Sequence, residues 1–302
     1  MKKLLLLILI ILVGAISFLI YAKFLEPNRL VINRAELFLP NWNDDLNGFK
    51  IGLISDIHIG TGNIDLKKLD KIVEKMNSQN PDLIILLGDF DAKYIKLSKI
   101  PQKDISQSLA KLKAPYGVIS ILGNHDYNPP EIVKNILHNA NIKILEDTNT
   151  FIYPENKKIQ IIGFKDMWHY KLNPNKIIRN NCSKIPTIIL SHNPDIFPKI
   201  PPCTTLTLSG HTHGGEIYVP IFGAPFIPSK FNLKYRKNYV VENNKHLYVS
   251  GGIGTLSGFR TFNPPEIVIL TLNQQTKKNK ITNTPIKKNF FKNHFKVPAI
   301  LK

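Results

Sequence analysis

Five short polar clusters hold residue types suited to divalent-metal chemistry: Asp56-Ile57-His58, Gly88-Asp89, Gly123-Asn124-His125-Asp126, Ser191-His192 and Gly210-His211-Thr212-His213-Gly214-Gly215. Aspartate, asparagine and histidine together offer the mixed oxygen and nitrogen donors that metals of intermediate softness take. Pairs one residue apart, Asp56/His58 and His211/His213, are expected to present both side chains on one side of an extended strand end. Any one cluster alone reads as ordinary loop or cap residues. Five in succession, holding five of the nine histidines, read as a site. Seven candidate ligands (Asp56, His58, Asp89, Asn124, His192, His211 and His213) exceed the needs of one ion and suit two ions sharing a carboxylate. Such a pair activates water near neutral pH and neutralises charge on a phosphoryl group.

The elements that must position these clusters are legible in the apolar runs before them. Lys50 to Ser55, Leu83 to Leu87 and Val118 to Leu122 read as buried strands, separated by amphipathic helical stretches over Leu66 to Gln79 and Ile105 to Leu112. This is a β-α-β-α-β order, and sheets of that kind place ligands at the carboxyl ends of their strands. Beyond Asn141 strand-like runs dominate: Thr150 to Tyr153, Ile159 to Gly163, Thr187 to Leu190, Thr205 to Leu208, Leu247 to Ser250 and Ile267 to Leu272. Two packed sheets in one α/β domain are expected.

The ordered set D-x-H, G-D, G-N-H-D, H and G-H-x-H resembles the calcineurin-like metallophosphoesterase superfamily over about residues 50 to 272. The resemblance implies a four-layer α/β/β/α sandwich. It also implies Asp56, His58 and His213 on a first metal, Asn124, His192 and His211 on a second, and Asp89 bridging both. Manganese is the first expectation, with iron or zinc as alternatives. By the same resemblance His125 faces the substrate and protonates the leaving oxygen, with Asp126 holding its ring. Tyr21 to Pro27, Ser191 to Asp195 and Gly251 to Thr255 are similar to a bacterial membrane-anchored branch, which includes envelope phosphodiesterases and a UDP-2,3-diacylglucosamine pyrophosphatase. Glu216 departs from that branch, where glutamine is expected after the double glycine.

The chain has 302 residues, and 40 basic against 22 acidic side chains give a net charge of +18, with 43% hydrophobic residues. This excludes a disordered protein. Lys277 to Lys302 carries eight lysines and no acid, so the body is only moderately basic at 18 − 8 = +10. Only five of the cations are arginines, and no aromatic-basic reading motif is present, so specific nucleic-acid binding is not expected. Cys182 and Cys203 can make at most a single bridge.

Leu4 to Ala22 is 19 residues without a charge, enough to span roughly 28 Å as a helix. It reads as a single anchor in the inner (cytoplasmic) membrane rather than a cleaved signal. Lys2 and Lys3 on one side balance Lys23, Arg29 and Arg34 on the other, leaving the orientation open. The expected organisation is an anchor over 1–22, a linker and first strand over 23–49, a phosphoesterase domain over 50–272 and a basic tail over 273–302.

Three accessory features carry expectations. Arg260, alone in the glycine-rich segment 251–262, is expected to clamp a phosphate or diphosphate of the substrate. The aromatics Phe222, Phe226, Phe231, Tyr235 and Tyr239, interleaved with cations, suit either a membrane interface or a loop folded onto the sandwich. The tail reads as solvated, with adsorption to anionic lipid as its alternative. The leading reading is a hydrolase acting on a phosphoester or nucleotide-diphospho-lipid held at a membrane. Its rivals are an exported phosphodiesterase acting on envelope or soluble esters, and a non-catalytic membrane scaffold.

Overall fold

The computed structural model describes residues 1–61, 64–91, 100–178 and 185–276. Cys182 and the basic tail from Lys277 lie outside the described residues. An apolar helix, α1 (Lys2–Ile20), precedes the domain, and none of its residues is buried. After a π turn over Tyr21–Leu25 and a 3-10 turn over Glu26–Asn28 the chain enters the first sheet.

That sheet has the order β1-β12-β2-β3-β4-β5, formed by β1 (Val31–Leu39), β2 (Phe49–Ile54), β3 (Leu83–Leu86), β4 (Val118–Ser120), β5 (Lys143–Ile144) and β12 (Glu266–Gln274). The second sheet is β10-β11-β9-β8-β7-β6, formed by β6 (Thr148–Ile152), β7 (Ile159–Gly163), β8 (Thr187–Leu190), β9 (Leu206–Ser209), β10 (Asn238–Glu242) and β11 (Lys245–Val249). Each short apolar run alternates its side chains between two packed faces. Ile51, Leu53, Leu83 and Ile85 of the first sheet meet Ile159, Ile161, Ile188, Leu190, Leu206 and Leu208 of the second in one core.

The opposite face of the first sheet, with Ile54, Ile84 and Leu86, is covered by α2 (Leu66–Asn77), α3 (Gln102–Leu109) and α4 (Pro130–Asn139). The outer face of the second sheet places Ile162, Phe164 and Ile189 against Ile178 of α5 (Pro174–Ile178), Ile196 of the 3-10 turn Pro194–Lys199 after β8, and Ile200 just beyond that turn. Helix, sheet, sheet, helix is therefore the layering. Buried alternation on both faces explains why the central strands read as near-continuous apolar runs.

Strand direction decides where α1 meets the domain. β12 pairs antiparallel with β2, and β1 pairs parallel with β12, Val31 opposite Glu266. The start of β1, shortly after α1, thus lies at the end of the sheet where β2 and β3 finish. A groove of about 820 Å³, lined by Asn77, Pro81, Lys113 and Ile142, opens at the other end, where β3 and β4 begin.

Candidate metal centre

All five polar clusters fall in loops leaving the carboxyl ends of strands: Asp56 and His58 after β2, Asp89 after β3, Asn124 and His125 after β4, His192 after β8, and His211 and His213 after β9. β2, β3 and β4 stop one or two residues sooner than expected, β8 ends where expected and β9 one residue later, and the ligand pairs do not lie on extended chain. Asp56, His58, Asp89, His211 and His213 all have positive φ, between 49° and 71°. Non-glycine residues rarely adopt this region, and its cost is typically accepted at functional sites where surrounding structure enforces it. Here it turns side chains inward over the strand ends. Close packing of the loops enforces it: a Cβ on Gly123 would lie 2.1 Å from Asp89 Oδ1, and one on Gly210 would lie 1.9 Å from Ser55 Oγ.

Two groups of ligand atoms result, each within 4.8 Å: Asp56, His58, Asp89 and His213 in one, and Asp89, His192 and His211 in the other. Asp89 belongs to both. Its Oδ2 lies 3.1 Å from His192 Nε2 and 3.6 Å from His58 Nε2, while Asp56 Oδ1 lies 3.6 Å from His213 Nε2. The His211/His213 pair is thus divided between the groups. Asp56 and His58 share one.

The opposite ring nitrogens show which way each imidazole faces. His58 Nδ1 bonds the Asp91 carbonyl at 2.8 Å and His192 Nδ1 bonds the Leu87 carbonyl at 2.7 Å. His213 Nδ1 lies 3.2 Å from Glu216 Oε1. The carbonyl acceptors on His58 and His192 hold the proton on the outer nitrogen and leave Nε2 as a free donor lone pair, the arrangement of metal-bound histidine. Burial also pushes the His58 imidazole down to about 4, favouring the neutral ligand form.

The buried polar atoms Asn124 Oδ1, His192 Nε2 and His211 Nε2 have no hydrogen-bond partner, and His58 Nε2 faces His213 Nε2 at 3.1 Å. Buried polar groups are ordinarily satisfied, and facing lone pairs repel, so the donor set fits divalent cations bound between these atoms.

The order and placement of these loops match a family model for calcineurin-like phosphoesterase over residues 49–251, more than half of the chain. The chain belongs to this family. It is similar to phosphodiesterase YaeI of Escherichia coli, at 29% identity over 83% of this chain and 92% of the relative. It is also similar to UDP-2,3-diacylglucosamine pyrophosphatase LpxG of Chlamydia muridarum, at 27% identity with the same coverage. A third relative, a transmembrane protein with metallophosphoesterase domain from Danio rerio, is 27% identical over 76% of this chain and 53% of its own length. As a member of a phosphoesterase family bearing a candidate dimetal ligand cluster, this chain is a metal-dependent phosphoric ester hydrolase. Its apolar N-terminal helix and its membrane-protein relatives suggest anchoring in a membrane.

Within this phosphoesterase site, two residues have surroundings other than those expected. Asp126 is buried, and its carboxylate accepts from the amides of Asp89 and Gly123 through Oδ2 and of Phe90 and Asp91 through Oδ1, at 2.8–3.1 Å. It was expected to hold the His125 ring, yet these four bonds fix the loop carrying the shared carboxylate. Arg260 is 0% exposed, and its guanidinium donates to the carbonyls of Gly251, Gly254 and Asn263, with a longer contact to that of His213. The substrate clamp expected of Arg260 is therefore replaced by a buried brace beneath the metal loops. A substrate phosphate has no access to it.

His125 is half-buried at the site, its ring edge-on to His58 at 5.0 Å, and its amide donates to Asp89 Oδ1 at 2.9 Å. Burial lowers the His125 pKa, and the Asp89 carboxylate opposes that shift. Trp168 is a residue the sequence reading missed. It is 57% exposed, and its ring stands edge-on to His211 at 4.6 Å. The run Trp168-His169-Tyr170 after β7, with His169 Nε2 bonded to the Asn124 carbonyl at 2.9 Å, was the available signal.

Proposed function

We propose that this chain is a membrane-anchored, dinuclear metal-dependent hydrolase that cleaves a phosphodiester or pyrophosphate bond in a membrane-associated substrate, with UDP-2,3-diacylglucosamine as the best-defined candidate. The observation that carries this reading is the sharing of Asp89 between two ligand groups at the end of the domain where the anchor enters. The similarity to a pyrophosphatase named for that lipid supports the substrate class.

Asp56, His58, His213 and Asp89 would hold one ion, and Asp89, Asn124, His192 and His211 the other, with manganese the first choice for mixed oxygen and nitrogen donors. When bound, two divalent ions supply an activated water and neutralise phosphoryl charge. The remaining work falls to the chain's own residues. His125 Nε2 or Nδ1 gives a proton to the departing oxygen, and the carboxylates of Asp89 and Asp56 favour its charged form against the desolvation that disfavours it. Asp126 and Arg260 hold the loops, and Trp168 forms one wall.

The test is the rate of the purified, metal-loaded full chain on UDP-2,3-diacylglucosamine relative to bis(4-nitrophenyl) phosphate. A preference for the lipid is expected, and faster hydrolysis of the aryl diester would overturn the substrate assignment. One observation favours the second reading, an exported phosphodiesterase. Cys203 is disulfide-bonded, a state that persists in oxidising compartments, whereas the lipid substrate is made on the cytoplasmic side. Activity of a reporter fused after the domain, on one face of the inner membrane or the other, separates the two.

A further inference from the structure

The anchor does not hang from the domain on a free linker. Ala22 and Glu26 are buried, the Arg260 amide donates to the Ala22 carbonyl at 2.9 Å, and the Phe262 amide donates to the Tyr21 hydroxyl at 3.3 Å. The Phe262 ring packs 5.7 Å from Tyr21 and 6.5 Å from Phe18 of α1. Between these two contacts sits Thr261. It is bridged to Ile217, and its hydroxyl bonds both the amide and the carbonyl of Tyr218. One segment of three residues therefore joins the membrane helix to the chain that leaves the metal loop after Glu216.

That chain makes a tight turn closed by two bonds between Val219 and Gly223, each 2.8 Å. At its tip Ile221 is 92% exposed and Phe222 86%, with Phe226 at 74% shortly after. Ile221 also has φ 77°, a backbone region that a β-branched residue very rarely occupies. An isoleucine in this conformation is unfavourable to the backbone, and its exposure is unfavourable in water. Phe24, Leu25 and Leu256 are further exposed apolar side chains, on the chain that follows α1 and on the loop before Arg260. Lys23 lies 5.7 Å from the rings of Phe24 and Phe259, a cation above apolar side chains as at a lipid headgroup boundary.

We propose that the Ile221–Phe222–Phe226 turn inserts into the same leaflet from which α1 emerges, so that helix and turn form one rigid membrane contact and the metal loops face the headgroups. The occupant is the bilayer because the turn is tied through Thr261 and Phe262 to a helix that already requires an apolar medium along its whole unburied length. A second copy of the chain would cover the turn and leave the helix bare. The consequence for the reaction, that substrate reaches the site without leaving the membrane surface, rests on the hydrolase reading above. The insertion itself does not.

The test uses the full chain reconstituted in phosphatidylethanolamine–phosphatidylglycerol vesicles and labelled with a fluorophore at Phe222→Cys, with unsubstituted protein labelled in parallel as background. Lys113→Cys, on the exposed loop before β4 at the opposite end of the strands, is the reference position. Quenching by lipids brominated near the headgroup is expected to be several-fold stronger at 222 than at 113, with 222 protected from aqueous iodide. Equal quenching at both positions would overturn the proposal, and so would protection from iodide without bromolipid quenching, which marks cover by another protein copy. Neither readout depends on turnover. In the second arm, Ile221→Asp with Phe222→Asp should lower the rate on UDP-2,3-diacylglucosamine in vesicles at least tenfold and leave bis(4-nitrophenyl) phosphate hydrolysis unchanged. Equal change, or no change, in both rates would overturn membrane delivery of substrate.

Discussion

Glu216→Gln tests how far a side chain outside the candidate ligand set controls the site. Glu216 Oε1 lies 3.2 Å from His213 Nδ1 and accepts from the Leu256 amide at 2.6 Å, while Oε2 accepts from the amide and hydroxyl of Ser257. The neighbouring His213 ring and the Ser257 bonds hold this carboxyl well below the ordinary glutamate range against the burial that raises it. A glutamine has one acceptor oxygen to replace two. With that oxygen at the Oε1 position, His213 keeps its tautomer but loses a negative partner, and the amide group then meets the Ser257 N–H as donor against donor. The reverse placement sets the amide group against His213 Nδ1 and moves its proton to Nε2, where it blocks ligation. Either way the group containing His213 weakens. Loss of such an outer partner typically costs about 10–100-fold in metal affinity, or about 1.4–2.7 kcal/mol. Manganese titration of metal-free protein by calorimetry should show one of two sites weakened by that factor. Ser257→Ala, which removes only the hydroxyl bond, should weaken it less. Two unchanged affinities in Glu216→Gln would refute the argument.

Asp89→Ala should abolish tight binding at both sites together with turnover, because the carboxylate belongs to both ligand groups; elemental analysis that still finds two metals per chain would contradict this. His125→Ala should retain its metals and lose turnover by ~10²–10⁴-fold, the usual scale of general-acid help, and metal loss instead would make His125 a ligand. Removing Met1 to Ser17 should leave the melting temperature of the detergent-free domain near that of the full chain. Removing Met1 to Ala22 should lower it, since that cut deletes the Tyr21 and Ala22 contacts with the 260–262 segment.

The central strands and the ligand loops were legible because burial on both sheet faces makes short, unbroken apolar runs, and each run ends in a polar cluster. Ile159–Gly163 and Thr187–Leu190 coincide with β7 and β8. What escaped was the edges. β10, Asn-Tyr-Val-Val-Glu, is a partly exposed outer strand with polar ends, and β5 has only Lys143 and Ile144. α4 was also missed, an amphipathic stretch that begins at the second of two prolines. Such elements are fixed by the neighbours they pair with, which local pattern does not name. The geometry of the ligand pairs escaped for a related reason: the positive φ of Asp56, His58, His211 and His213 is imposed by loops packed against Gly123 and Gly210.

Asp126 and Arg260 show why residue type and motif position identify a site more readily than they assign its roles. A carboxylate beside His125 could brace an imidazole or a loop, and the decision depends on the amides of Asp89, Phe90 and Asp91, some 35 residues away in the chain. An arginine among glycines could bind a phosphate or replace absent side chains. The glycines of 251–254 leave room for the backbone to approach Asp56 and His58 and offer carbonyls with no side chain to shield them. The guanidinium, an obligate multiple donor, satisfies those carbonyls from beneath. Because the Arg260 amide also holds the Ala22 carbonyl, one residue ties the metal loops and the apolar N-terminal helix to the same point. A helix merely tethered to the domain would need no such tie, and a long flexible linker would serve it as well.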